Sequence, residues 1–196
     1  MTIPLRQLVD LKAGYPFRGA VPTVDNGNAH VVQMRDVAFD TRVAWPGLTR
    51  TSITGRKGPD WLAAGDILFI ARGAQNFAVH LDSVPCEAVC SQYFFQLRVR
   101  RPELLLAEFL AWQINSLPVQ RYLSANAQGS AQLGIARAVL EATPIAVPAI
   151  ATQHRIVALA TAARREKLLL HTLVENRARQ LDALALQFHA TSGLAE

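Results

Sequence analysis

The sequence predicts an α+β protein: a mixed, β-rich domain with packed helices, followed by one long projecting helix of the coiled-coil type. Three observations lead to this fold class. Short apolar or alternating runs lie between Gly- and Pro-rich segments in the first hundred residues, helix-start signals follow, and a helical apolar repeat without Gly or Pro runs from Thr152 to about His189. We expect one domain over 1–150, a long helix over 151–190 and a flexible tail over 191–196.

The length and composition are those of a folded protein. With 196 residues, 51% of them hydrophobic and 18% charged, the chain can bury a core and is not expected to be disordered. No apolar run approaches the roughly 18 residues of a membrane span, and the N-terminus lacks the pattern of a secretion signal. One disulfide between Cys86 and Cys90 could not stabilise a domain of this size, so we expect a reduced, cytoplasmic location.

Four runs in the first hundred residues are predicted as strands. Asp66–Ala71 is largely apolar and follows the turn-forming Gly65. Ser91–Val99 alternates between polar and apolar residues, with Phe94 as the exception. The other two predicted strands are His30–Val37 and Phe77–Leu81. The loops between these runs are long, and long loops in a compact β domain are usually functional or mobile.

The middle of the chain carries helix and edge-strand signals. Pro102 and Glu103 suit a helix start, because proline fits the first turn and an acid favours the positive end of the helix dipole. This helix is expected to end near Asn115, and a second one is expected to reach about Asn126. The bracketing prolines of 143–148 predict a short extended piece at a sheet edge.

The last segment is predicted to be one amphipathic helix of about 36 residues, some 54 Å long. Such a helix exceeds a domain whose radius of gyration is about 16 Å, so we expect it to project and to need a partner for its apolar stripe. Packing along its own domain is the alternative. Lys167 and Arg177 interrupt the stripe, whose apolar members are Ile156, Leu159, Ala163, Leu170, Val174, Leu181, Leu184 and Phe188.

The net charge of +5 is concentrated in the first half of the chain. Residues 1–101 carry a net charge of +4, residues 102–196 carry +1, and 17 of the 20 basic residues are arginine. Arginine binds phosphates and guanine edges through two parallel hydrogen bonds, which favours a nucleic-acid surface. An arginine-preferring composition with a solvated surface explains the charge equally well at this point.

Motifs of catalysis and metal binding are missing from the sequence. It has no Gly-x-Ser-x-Gly elbow, no phosphate-binding Gly-Lys-Ser/Thr loop, no dinucleotide fingerprint and no Asn-Pro-Pro-Tyr-type motif of adenine methyltransferases. The two cysteines lack a second ligand pair at zinc spacing, and the five histidines are scattered. We therefore expect a protein that is not an enzyme and has no cofactor or metal of its own.

Three segments together resemble the specificity (S) subunits of type I restriction–modification systems. Leu62–Gly73 resembles their L-x-x-G-D-I-L strand, and Gly129–Ile135 resembles the G-S-x-Q turn near the end of their target recognition domains. Pro144–Pro148, followed by Gln153–Ile156 and a long helix, resembles the I-P-V-P…Q-x-x-I lead into their spacer helix.

Two earlier segments extend the resemblance over nearly the whole chain. Lys12–Arg18 and Gln33–Val37 occupy the places of that family's G-G-T-P loop and I-R-x-x-D strand. The chain departs from the family pattern at Gly14-Tyr15-Pro16, which replaces a small-residue loop. It departs again at His154, which follows Gln153 where an acid commonly precedes the glutamine.

The resemblance implies a DNA-binding target recognition domain over 1–150 and a spacer helix that serves for dimerisation or docking. Family chains have two of each, so this chain is similar to a half-sized subunit or to a fragment of a full one. The implied partners are double-stranded DNA and a DNA methyltransferase (modification) subunit, which carries S-adenosylmethionine and docks on the spacer helix and on 103–126. A restriction subunit is a further partner that the resemblance admits.

Pairing is the physical solution for a domain with a single exposed helix. Two such helices in antiparallel orientation would bury both stripes and set the two domains at opposite ends, and closed two-fold dimers are the commonest oligomers. Such a homodimer would read two inverted half-sites at a fixed spacing, so we expect a split palindrome as the target.

DNA contacts are expected from the loops. Arg42, Arg50, Arg56 and Lys57 occupy a stretch without acids and suit phosphate contacts. Residues next to glycines at loops or strand ends suit base edges, although each could equally be a solvated side chain; they are Arg18, Arg35, Arg72, Gln75 and Asn76. The turn at 128–132 is expected to be structural.

Two competing functions stay open on the sequence. One is an adaptor of the same fold that binds a protein partner without reading DNA, and whose loops would tolerate alanine substitution. The other is a stand-alone enzyme acting on DNA, which the missing acidic and nucleophilic motifs disfavour.

Overall fold

The structure is a computed structural model, which describes residues 2–38, 43–54, 58–73, 75–127 and 134–192. The chain divides into two compact units, Met1–Val157 and Ala158–Glu196. The strands are β1 Thr2–Pro4, β2 Val9–Ala13, β3 Ala29–Val32, β4 Thr49–Thr51, β5 Ile67–Ile70, β6 Ala78–His80, β7 Ala88–Cys90, β8 Phe94–Val99 and β9 Pro144–Ala146. The helices are α1 Ala107–Ile114, α2 Leu117–Ala125, α3 Arg137–Ala142 and α4 Ile150–Ser192, with short 3-10 turns at Leu5–Gln7 and Met34–Asp36.

The strands of the first unit form three sheets. An antiparallel sheet has the order β2-β8-β5-β6, and a mixed sheet has the order β4-β3-β7, in which β3 pairs parallel with β7. β1 and β9 form an antiparallel pair that joins the start of the chain to the residues just before α4. The α+β fold class predicted from the sequence is therefore confirmed.

The four-stranded sheet is covered on both faces. Ile67, Phe69 and Leu97 point into a core shared with α1, α2 and α3. Leu68 and Phe94 lie in a second core, shared with β3 and β7 of the mixed sheet. A third, smaller cluster covers the opposite side of the mixed sheet and includes the partly buried rings of the loop that follows β2. Burial on both faces explains why β5 is apolar throughout and why Phe94 breaks the alternation of its strand.

Side-chain amides fasten α1 to the strands around it. The Asn115 amide donates to the Ala78 carbonyl at 2.8 Å and accepts from the Ala78 N–H at 2.8 Å. Gln113 does the same with Ala146 of β9, donating at 3.0 Å and accepting at 2.7 Å. Each amide makes the same pair of hydrogen bonds that a residue of a neighbouring β-strand would make. The end of the helix thereby satisfies backbone groups at a strand edge that would otherwise be unpaired.

Two sequence predictions of element bounds are wrong, for local reasons. The strand expected over His30–Val37 ends at Val32, because the Asp36 carboxylate accepts the Gln33 N–H at 2.8 Å and closes a 3-10 turn. The helix expected from Pro102 begins at Ala107, because the N–H groups of 104 and 105 both donate to the Arg101 carbonyl in a turn that buries Leu105.

The long helix is confirmed, and it is longer than expected. α4 has 43 residues, and its first eight belong to the first unit. From 158 to 189 every described residue except the half-buried Ala160 is exposed, including the apolar stripe: Leu159 is 73% exposed and Phe188 is 72% exposed. Within the described ranges, no helix is both long and apolar enough to cross a membrane.

Candidate nucleic-acid interface

The loop after β2 is anchored by a close backbone approach. The Gly14 N–H donates to the Phe94 carbonyl at 3.0 Å, and the Tyr15 N–H donates to the Cys90 carbonyl at 2.7 Å. A Cβ on Gly14 would lie 2.0 Å from the Ser91 carbonyl oxygen, so only glycine fits at this position. Beyond this anchor, Phe17 packs on the mixed sheet and Arg18 is exposed.

The Met34–Asp36 turn presents a second arginine. The Arg35 guanidinium donates to the Thr49 hydroxyl at 2.7 Å and lies 3.7 Å from the Asp36 carboxylate, while its side chain stays 68% exposed. Gln33 donates to the same hydroxyl at 2.8 Å. The turn is thus fixed on β4, and Arg35 is positioned while much of its donor set faces solvent.

The segment after β5 brings a third arginine beside the first two segments. The Ala71 N–H donates to the Tyr93 carbonyl at 2.9 Å, which places Arg72 next to the turn before β8. A Cβ on Gly73 would lie 3.5 Å from the Met34 sulfur, so this segment contacts the Met34–Asp36 turn as well. Arg72 and Gln75 are exposed.

The loop after β2, the Met34–Asp36 turn and the turn before β8 line a groove of about 430 Å³, which we call the recognition groove. The segment after β5 adjoins it at Met34. Met34 and Tyr93 on its wall are each 38% exposed, and Arg35 lies on its rim. The buried Ser91 hydroxyl also lines it and has no hydrogen-bond partner within the described residues. The full lining is Phe17, Gly19, Ala20, Val21, Gln33, Met34, Arg35, Ser91, Gln92 and Tyr93.

The charge around the recognition groove is positive. Arg18, Arg35 and Arg72 lie in the segments that form or adjoin it, and Asp36 is the acid of those segments, already close to Arg35. Exposed guanidinium groups next to an aromatic ring and a thioether can bind phosphate oxygens, pair with guanine edges and stack on bases. An unpaired serine hydroxyl can donate to or accept from a base edge.

Other residues predicted to contact DNA have structural partners. Arg50, on β4, donates from Nε to the Gly27 carbonyl at 2.7 Å and so holds the loop before β3. Asn76 donates to the Ile70 carbonyl at 3.0 Å and is half-buried. Arg42, Arg56 and Lys57 lie outside the described residues, as does the turn at 128–132. Of the predicted residues, Arg18, Arg35, Arg72 and Gln75 are therefore exposed, and Arg35 lines the recognition groove.

The sequence interpretation missed the exposed members of the groove. It placed Tyr93 within a strand from Ser91, on one face with Phe95 and Leu97, whereas β8 begins at Phe94 and Tyr93 lies in the preceding turn. The signal was present in the sequence: the alternation fails at Phe94, which marks the point where the strand begins. Nothing local in the sequence singles out Met34 or Ser91.

The L-x-x-G-D-I-L segment has a structural role. Gly65 adopts φ +88°, and Asp66 after it is buried. The Asp66 carboxylate accepts hydrogen bonds from the Ala63 N–H, the Gln96 amide and, at 2.6 and 2.8 Å, the Arg98 guanidinium. This hydrogen-bonded pairing raises the pKa of Arg98 above its ordinary value. The segment therefore fixes the turn before β5 and does not face the groove.

Comparison with known proteins places this fold in a definite class. No family model matches the sequence, and no curated protein matches it. Among solved structures, the chain is similar to the S subunit of a type I restriction–modification system from M. genitalium, with a TM-score of 0.59 and 18% identity over 89% of this chain and 41% of that one. The α+β fold with a long C-terminal helix is thus the fold of S subunits.

Two further structures show the same likeness. The HsdS subunit from Thermoanaerobacter tengcongensis gives a TM-score of 0.60 at 17% identity over 85% of this chain and 37% of that one. A chain from a structural study of complex assembly and conformational transition in the type I R-M system gives 0.63 at 18% identity, over 87% and 39%. At these identities the likeness shows a shared fold. The chain spans about two fifths of the length of the proteins it matches.

Proposed function

We propose that this chain is a non-catalytic DNA-specificity subunit, which directs a type I adenine methyltransferase or restriction complex to a bipartite site. The observation that carries the proposal is the recognition groove. On a fold shared with S subunits, Arg35 lines a groove together with an exposed tyrosine and methionine, and the exposed Arg18 and Arg72 lie in segments that adjoin it. The similarity to type I S subunits supports a DNA-binding role for the fold. The side chains of the groove are of the types that can bind DNA.

Each part of the groove has a proposed role. Arg18, Arg35 and Arg72 contact base edges or phosphates, and Gln75 is suited to adenine, since a Gln amide can make two hydrogen bonds to that base. Tyr93 and Met34 provide apolar surface for a base or a thymine methyl group. Arg42, Arg56 and Lys57 are proposed as phosphate contacts on the strength of their sequence pattern.

The methylation chemistry is proposed to belong to a partner. We infer that a modification subunit, which carries S-adenosylmethionine, docks on the region around α1 and α2. Large apolar side chains are exposed there: Leu104 at 45%, Trp112 at 37% and Leu117 at 62%. Exposed apolar side chains of this size on a folded domain are typical of a protein-binding surface.

The second proposed assembly is a homodimer through α4. The exposed apolar residues along the helix would be buried by a second helix packed against them. An antiparallel pair of chains would carry two recognition domains. The dimer would read an inverted repeat with a fixed spacer, in the cytoplasm where the DNA and the partner subunits are found.

The test is methylome sequencing of cells that express the chain with its methyltransferase. A bipartite methylated adenine motif is the expected result, and the double variant Arg35→Ala/Arg72→Ala should lose or relax one half of it. Arg101→Ala is the matched control, because Arg101 is exposed, bonded to Glu103 and outside the groove. An unchanged methylome, with the protein complex still formed, would instead identify an adaptor that does not read DNA.

A further inference from the structure

The exposed face of α4 has a strict repeat that goes beyond a general apolar stripe. Residues separated alternately by four and three positions form one seam along the helix, the spacing of a coiled-coil core. This seam differs from the stripe predicted above in that Ala160 replaces Leu159. Its members beyond the first unit are Ala160, Ala163, Lys167, Leu170, Val174, Arg177, Leu181, Leu184 and Phe188. Ile156, the preceding position of the repeat, packs against the core of the first unit.

The sizes of the seam residues are unevenly distributed. The small residues Ala160 and Ala163 lie in the first half, and the large residues Leu181 and Leu184 lie in the second. A parallel pair would set alanine on alanine and leucine on leucine, which leaves gaps at one end and crowding at the other. An antiparallel pair centred beside Thr172 sets each alanine against a leucine, so the volume of each layer is nearly constant.

The two charged residues of the seam obey the same symmetry. Lys167 and Arg177 are each five positions from Thr172, so in this register they share a layer. An antiparallel register shifted by one heptad sets each of them against an apolar residue, so four layers instead of two hold a charge and more apolar packing is lost. Glu166 flanks the shared layer and is the acid placed to pair with the opposing Arg177.

We propose that α4 pairs with α4 of a second copy in antiparallel orientation, with the two-fold axis beside Thr172 and Lys167 opposite Arg177 of the other copy. This register rests on the proposed homodimer and adds to it the layers that set its alignment. In the full pairing Ala160 meets Leu184, Ala163 meets Leu181, Lys167 meets Arg177 and Leu170 meets Val174. The charged layer is a fixed cost in stability that excludes shifted alignments.

The first test reverses one charge in the full-length chain. Lys167→Glu should tighten the dimer roughly tenfold in Kd, since two like-charge contacts become two opposite-charge contacts. In a parallel dimer Lys167 faces Lys167 of the other copy, so the same change would replace one like-charge contact by another and leave Kd nearly unchanged. Arg165→Glu is the matched control, because it makes the same charge change on the outer face of the helix and should alter Kd less than about twofold. Unchanged or weaker association of Lys167→Glu would overturn the register.

The second test is cysteine cross-linking with a short bis-maleimide. Burial raises the pKa of the Cys90 thiol to about 12, so this residue stays unreactive, and Cys86→Ser removes the other native thiol. A mixture of the Ala160→Cys and Leu184→Cys chains should give a covalent dimer, while Ala160→Cys alone should not. Cross-linking of Ala160→Cys with itself would show a parallel pair and overturn the proposal.

The failure of the register can be distinguished from the failure of the proposed function. Light scattering that shows a monomer at every concentration would remove the homodimer and its register together. DNA binding to a single half-site, measured on the same sample, reports separately on the recognition groove. Circular dichroism of each variant confirms that α4 is still folded.

Discussion

The side-chain oxygen of Gln153 accepts a hydrogen bond from the backbone N–H of Leu106 at 2.9 Å. The Gln153 amide group also donates to the carbonyls of Leu104 and Pro148, each at 2.8 Å, and the residue is fully buried. One glutamine in the first turn of α4 thus satisfies the backbone just before α1 and the backbone just before α4. The glutamine of the Q-x-x-I segment therefore has a structural role: it links two backbone segments of the first unit through hydrogen bonds.

Gln153→Leu should lower the free energy of unfolding by about 2–3 kcal/mol, because it leaves buried backbone groups without partners. Urea denaturation followed by circular dichroism measures this effect. His154→Ala, at the exposed neighbouring position, is the control and should change stability by less than about 0.5 kcal/mol. Equal effects of the two changes would contradict the assigned role of Gln153.

Arg98→Leu should lower the free energy of unfolding by about 1–3 kcal/mol, because it leaves the buried Asp66 carboxylate without its cation. The range takes into account that the Arg98 side chain is 49% exposed, whereas Asp66 is 1% exposed. Arg100→Leu is a matched control, since its 2.8 Å ion pair with Asp10 is exposed on both sides and should contribute less than about 1 kcal/mol. Thermal unfolding of the two variants gives the comparison, and a larger loss for Arg100→Leu would refute it.

Gly14→Ala should destabilise the domain by about 1–3 kcal/mol, because the added Cβ must displace the backbone at Ser91. Since Ser91 lines the recognition groove and Gly14 anchors the loop of Arg18, DNA affinity should fall as well. Gly58→Ala is the control, because a Cβ there meets no atom within 4 Å. Fluorescence anisotropy with a DNA duplex, beside an unfolding curve, measures both effects; unchanged affinity would separate this loop from DNA binding.

Much of the fold could be predicted from the sequence because its signals are local. The apolar run at 66–71, the prolines at 144 and 148 and the uninterrupted repeat after 152 each specify an element through their own periodicity or backbone chemistry. Predictions failed at Met34–Asp36 and at 102–106, where one carboxylate or one buried leucine turned the chain. Such turns depend on what the side chain meets, and this information is absent from a pattern of residue types.

The sequence predicted which types of residue form the candidate site, but it did not predict which of them lie together. The sequence pointed to arginines in the loops of the first hundred residues, and Arg18, Arg35 and Arg72 are exposed, with Arg35 in the recognition groove. It did not distinguish them from Arg50, whose guanidinium is bonded to the Gly27 carbonyl. It also assigned Tyr93 to a strand face.

The sequence by itself determined the fold class, the long helix and the net positive charge of the first half, since each follows from spacing or composition along the chain. Only the tertiary structure decided which arginines hold neighbouring segments through hydrogen bonds, and which polar residues are buried in the core. The physical reason is that hydrogen-bond partners and burial arise between residues far apart in the chain, such as Gly27 with Arg50, Met34 with Gly73 and Leu106 with Gln153. Periodicity indicates which face of an element is buried, but only the packed sheets and helices bring those distant groups into contact.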